Sequence, residues 1–206
     1  MEADAPSRDV TRLVNLSDAV VAIAATLLVL PLVDQIDSMS GATVAEMLGG
    51  AGQQFGAFVL SFVVIGRFWL VHHNVFNGVR EMTGTLFWLN LVWLIGIVFL
   101  PYPTELIGVV GTDDAWAPVV YIGTLAVTSL AGLAMHAVIA RTPAIRAPGA
   151  VEHRDLVPGL VTVGTLFVAF VLALAFPAVG MWSLLLLVVA PVVIRVLSRW
   201  RRPAAV

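Results

Sequence analysis

Ser17 and Asp18 stand side by side, as do His72 and His73, and Arg12, Arg67 and Asn90 complete a small set of polar side chains in an oily sequence. Serine, carboxylate and imidazole are the parts of a hydrolytic nucleophile and base, but such a pair must be in contact, and spacing along the chain alone is a weak sign of that. Adjacent histidines on a helix point about 100° apart, and no second acid–histidine pair supplies the spacing that zinc ligation needs, so no fixed metal site is expected. A proton relay through Asp18, Arg67 and the histidines stays open. The blander reading, which we favour for most of these residues, is that they hold helices together by hydrogen bonds. An enzyme is not expected.

The elements that must position these residues are set by solvent. Of the 206 residues, 60% are hydrophobic and 12% charged, whereas a soluble domain carries roughly a quarter charged residues. So few charges cannot cover a water-facing surface. Six stretches approach the roughly 20 apolar residues that cross a bilayer: about 13–33, 55–75, 85–107, 116–140, 156–176 and 179–196. They do not alternate apolar and polar as barrel strands do, and lipid leaves a helix as the way to pair their backbone groups. The expected fold is therefore all-α: a single integral membrane domain over residues 1–206 with six transmembrane helices. A cleaved signal is a poor account of residues 8–45, because Asp18 interrupts the apolar run and no small-residue cleavage site follows.

All the basic residues are arginines, 11 of them against 13 acids, for a net charge of -2. That balance argues against a nucleic-acid partner. The absence of cysteine closes disulfide and zinc-thiolate chemistry. With six crossings, Arg8, Arg12, Arg80, Arg141, Arg146, Arg154, Arg195, Arg199, Arg201 and Arg202 fall on one side, while the opposite loops carry Asp34, Asp37, Glu46, Asp113 and Asp114. The positive-inside rule then makes the chain a multi-pass protein of the cell membrane with both termini cytoplasmic.

Depth joins the polar set. Asp18 lies about five residues into the first span from the arginine side, Arg67 about eight residues before the end of the second, and Asn90 about five into the third. At about 1.5 Å per residue, Arg12, Ser17, Asp18, Arg67, His72, His73 and Asn90 can meet as one polar cluster in the inner leaflet. A charge at a helix centre costs about 2.5–3.5 kcal/mol on insertion scales, so such positions are functional candidates. The first span also has a seam: Leu16, Val20, Ile23, Leu27 and Leu30 follow steps of 4, 3, 4 and 3 along one face, with Thr26 beside it. By itself this seam is ordinary helix packing.

The residues from Arg12 to Asp18, Arg-Leu-Val-Asn-Leu-Ser-Asp, resemble the RxxxFSD signature of the endolysosomal potassium channel family (transmembrane protein 175), with Leu16 in place of Phe. The runs Trp69-Leu70-Val71-His72-His73, Leu89-Asn90-Leu91 and Leu100-Pro101-Tyr102-Pro103-Thr104 resemble that family's second and third helices. The likeness is good over roughly residues 8–110. It implies a prokaryotic-type member with one six-helix unit per chain, assembled as a homotetramer in membrane lipid and conducting potassium ions. First helices would line the pore, with hydrophobic constrictions at Ile23, Leu27 and Leu30 and a potassium-preferring threonine at Thr26. Arg12, Ser17 and Asp18 would bind His72 or His73 and Asn90 to hold the pore helix. The filter sequence TVGYG is absent, so this is not the tetrameric carbonyl-filter potassium channel fold. No cofactor is expected beyond permeant potassium. A proton-coupled secondary transporter and a membrane scaffold without transport remain the alternatives.

Overall fold

The computed structural model describes residues 6–38, 41, 43–110, 114, 116–147 and 156–175. Five helical runs among them are long and apolar enough to cross a membrane: Arg8–Ile36, Gly52–Phe76, Gly84–Val110, Trp116–Arg141 and Val157–Ala175. The expected span at 179–196 lies outside the described residues. The described chain is all-α, and its one β-type pairing is an isolated bridge between Val79 and Arg146.

Proline divides two of the crossings. The first consists of α1 (Arg8–Leu27) and α2 (Leu30–Ser38), and the third of α5 (Gly84–Phe99) and α6 (Pro101–Val110). Pro31 has no N–H to give the Leu27 carbonyl, and its ring crowds that carbonyl. The chain answers with a tighter turn, in which Val29 N–H reaches Thr26 O at 3.3 Å. Pro101 does the same to Ile97, whose carbonyl accepts instead from Leu100 N–H at 3.2 Å. The third span, read as continuous from sequence, is therefore two helices sharing one path.

Between these crossings run α3 (Val44–Gly50) and α4 (Gly52–Phe76), and α7 (Trp116–Arg141) and α8 (Val157–Ala175) follow them. The packing centre is α5 against α7, with Trp93, Leu86, Ile97, Tyr121, Ile122, Leu125, Met135 and Ile139 almost wholly enclosed. The two helices come close at Gly96, where a Cβ would run into the Thr128 side chain. Small residues at such crossings let backbones approach, which matters in lipid because packing replaces the hydrophobic drive between helices. On the far side of α7, α8 packs close at Gly123, where a Cβ would stand 3.2 Å from Phe170.

One end of the bundle is closed by a backbone clasp. Ser7 N–H donates to Arg80 O at 2.8 Å, Arg80 N–H to Ile145 O at 2.8 Å, and Ala147 N–H to Gly78 O at 2.7 Å. Gly78 takes φ +85°, a left-handed conformation that a side chain would resist. The clasp brings the start of α1, the α4–α5 loop and the segment after α7 together, and these carry Arg8, Arg12, Arg80, Arg141 and Arg146. The arginine-bearing ends of the described crossings thus share one side.

Candidate functional site

Helix α1 presents two apolar faces. Val10, Leu13, Ser17, Val21, Ala24 and Leu28 recur every three or four residues and are buried against α5 and α4. Its N-terminus is fixed by Ser7, whose hydroxyl accepts from Val10 N–H, filling one of the orphan donors of a helix start.

Inside the buried face a chain of hydrogen bonds crosses three helices. His72 Nε2 lies 2.7 Å from Asn90 Oδ1, Asn90 Nδ2 donates to Ser17 Oγ at 3.0 Å, and Ser17 Oγ donates to Leu13 O at 2.9 Å. The direction is self-consistent. An amide oxygen can only accept, so His72 carries its proton on Nε2, and the serine lone pair is free because its own proton serves the helix. Ser17 and Asn90 are fully enclosed, and His72 stacks on Trp93 with ring centroids 4.3 Å apart.

Not all of the expected cluster joins this chain. Asp18, half-buried on the flank of α1, accepts from Trp69 Nε1 at 2.8 Å. His73 is exposed, its ring tilted beside Trp69 at 6.0 Å. Arg12 and Arg67 are exposed on the isolated subunit. Sequence reasoning pooled seven residues by depth; orientation around each helix brings three into one hydrogen-bonded chain and sets Asp18 beside it. Trp69 went unassigned, although an indole N–H at matching depth was a usable signal for the partner of Asp18.

The second face of α1 faces away from the subunit. Ile23 is 60% exposed and Leu27 40%, with Leu16 close to half and Val20 half-buried, and Leu30 at the start of α2 is also about half exposed. Thr26 is exposed with its hydroxyl donated back to Ile23 O at 2.7 Å, so its oxygen lone pairs remain available outward.

A second buried knot was not foreseen. Thr104 Oγ1 lies 2.8 Å from Ser61 Oγ and 2.7 Å from Leu100 O, and Ser61 Oγ lies 3.1 Å from Tyr121 Oη. It ties α4, α6 and α7 just beyond the Pro101 break. Single serines and threonines in apolar runs usually bond their own helix, so sequence offered no cue. Among the described residues no group of three or more His, Asp or Glu is placed to hold a metal ion.

Apolar crossings, two proline breaks and a first helix anchored by buried polar contacts define an all-α, multi-pass membrane protein. Residues 12–101 match the family described as endosomal/lysosomal potassium channel TMEM175. The chain is 39% identical over 92 residues to a potassium channel of Streptomyces collinus, covering 44% of each. It is 40% identical over 93 residues to the endosomal/lysosomal proton channel TMEM175 of Mus musculus, covering 41% of this chain and 18% of that one. The match spans about half the length of the bacterial curated relatives, 44% and 48% for the first two. The fold is that of a lysosomal potassium-selective channel TMEM175 homolog from Chamaesiphon minutus, with TM-score 0.73 and 23% identity over 89% of this chain and 95% of that one.

Proposed function

We propose that the chain is a subunit of a potassium-permeable cation channel of the cell membrane, with both termini cytoplasmic and four copies around a shared axis. The first helices line the pore. Ile23, Leu27 and Leu30 form stacked apolar rings, and Thr26 contributes a ring of hydroxyl oxygens between them. Potassium passes as the permeant ion and not as a resident cofactor. The observation that carries this reading is the two-faced first crossing: one face is pinned by Ser17, Asn90 and His72, and the other leaves Ile23 and Leu27 of α1 and Leu30 of α2 exposed. Narrow apolar rings close a pore by dewetting, so an ion passes when the ring widens or is made polar. Relatives named as potassium channels support the ion; a relative named as a proton channel makes proton passage the second current to measure.

The test is current through the purified protein in planar bilayers. Native cysteine is absent, so Ile23→Cys offers a single reactive position. A thiol reagent should block that variant and leave Val168→Cys, on an exposed face of α8, unaffected. Ile23→Asn should raise the current, and Thr26→Ala should weaken preference for potassium over sodium. Current through Ile23→Cys that ignores every thiol reagent able to enter the pore would remove α1 from the path. Saturable flux coupled to a proton gradient, with no unitary currents, would favour the transporter instead.

A further inference from the structure

Beyond the Pro31 break the first crossing continues as α2, which leaves Leu30, Val33, Asp34 and Ile36 exposed. Leu30 and Asp34 are four residues apart in one helix. They therefore share a face, with Asp34 about 6 Å further from the arginine-bearing end. Among the described residues the Asp34 carboxylate takes no hydrogen bond and no ion pair. Other acids toward that end are differently placed: Glu46 is engaged by Thr43, Asp114 accepts from Trp116 N–H at 2.6 Å, and Glu105 belongs to α6. The charge on Asp34 is also unopposed in the sequence. No lysine or arginine occurs between Arg12 and Arg67, between Arg80 and Arg141, or between Arg154 and Arg195. The turns opposite the arginine-bearing end fall inside these intervals. Arg67, within α4, is nearer the Phe76 end of that helix than the Gly52 end.

We propose that Asp34 sets how fast the outer mouth admits cations and how strongly it rejects anions. The inference rests on the pore reading above, in which the first crossings surround a common axis with Leu30 turned toward it. The face that carries Leu30 carries Asp34 as well, so each copy places one carboxylate about one helical turn beyond the Leu30 ring. Like charges around a mouth with low-dielectric walls focus the field and raise the local concentration of the opposite ion. That field reaches about one Debye length, ~8 Å at physiological salt. The Leu30 ring lies within it, so a cation is drawn to the point where it must shed water to enter an apolar constriction. A field of this kind acts on any monovalent cation alike. Asp34 therefore governs cation over anion preference and throughput, and leaves potassium over sodium to Thr26.

The test is unitary current through the purified full chain in planar bilayers. Asp34→Asn should lower potassium conductance at least about twofold in ~0.01 M salt, where the Debye length is ~30 Å, and by less than about a fifth in ~1 M salt, where it is ~3 Å. Its preference for potassium over chloride should fall while potassium over sodium stays as in the native chain. Asp34→Glu keeps the charge and should conduct as the native chain does. In Asp34→Cys the new thiol is the sole one. A thiosulfonate reagent bearing a negative group should restore the low-salt current, and one bearing a positive group should lower it further. A packing role would not follow the sign of the charge. The same two reagents on Asp114→Cys, off the first crossing, should move the current less than about half as much. Absence of unitary current, or Ile23→Cys current that ignores thiol reagents, overturns the pore reading and this inference with it. With Ile23→Cys blocked, the inference alone fails on any of three results: Asp34→Asn conducts as the native chain in low salt, Asp34→Glu loses as much as Asp34→Asn, or the two reagents act alike on Asp34→Cys.

Discussion

The two buried polar knots make an instructive pair. Near the arginine side, Ser17, Asn90 and His72 form a line in which Asn90 alone joins Ser17 of α1 to His72 of α4, with the Asp18–Trp69 hydrogen bond beside it. Toward the other side, Ser61, Thr104 and Tyr121 gather three hydroxyls, and Thr104 also leans on the Leu100 carbonyl of its own helix. Ser17 leans on Leu13 O in the same way, so the difference is elsewhere: without Asn90 both Ser17 and His72 lose their link, whereas without Tyr121 Ser61 keeps Thr104. An interhelical hydrogen bond in a membrane protein is worth on average only about 0.6 kcal/mol, because the unfolded chain also finds partners. A buried donor left unsatisfied costs more, about 1–3 kcal/mol. The inner knot is therefore the one whose failure propagates, and it is the one that holds the proposed pore helix.

The largest effect expected is from Asn90→Leu. It keeps side-chain volume but strands the His72 Nε2–H in an apolar site, at a cost of about 1–3 kcal/mol. Thermal unfolding in detergent should show a clear loss of stability, and any current in the proposed channel should be altered because α1 keeps only the Asp18–Trp69 hydrogen bond to α4. Native stability in this variant would mean the inner knot is redundant after all.

Tyr121→Phe should do much less. Ser61 retains Thr104 at 2.8 Å, so the loss should stay near the ~0.6 kcal/mol average with currents unchanged. If Tyr121→Phe destabilises as much as Asn90→Leu, redundancy is not what separates the two knots.

The smallest effect contrasts both knots with a solvent-exposed network. Thr43 and Glu46 form a capping box on α3, the threonine hydroxyl accepting from Glu46 N–H and the carboxylate accepting from Thr43 N–H at 2.8 Å. The backbone and side-chain hydrogen bonds from Thr43 lower the Glu46 pKa below its ordinary value. A depressed carboxylate contributes stability above its unfolded pKa and loses it as pH falls through the folded value. The protection of the Val44–Gly50 amides, taken relative to the intrinsic exchange rate at each pH, should therefore fall only on the acid side of the ordinary carboxylate range. Glu46→Gln should abolish that pH dependence, and a dependence that persists would have to come from another group.

Much of this architecture was legible in the residues themselves. Apolar runs long enough to cross a bilayer must be helices, because lipid supplies no backbone partners, and the structure describes five of the six expected. Pro31 and Pro101 mark their own breaks, since a missing N–H is a local fact. The grouping of arginines on one side could be counted along the chain. What depth alone could not supply was rotation about each helix axis. His72 and His73 differ by one residue and about 100°, and packing of α4 against its neighbours decided that His72 meets Asn90 while His73 is exposed beside Trp69. The same holds for Ser61, Thr104 and Tyr121, which are far apart in sequence and meet only because α4, α6 and α7 pack together. Sequence fixes how deep a side chain lies in a membrane, because rise per residue is constant; which partner it faces depends on helix packing, and that only the tertiary structure decides.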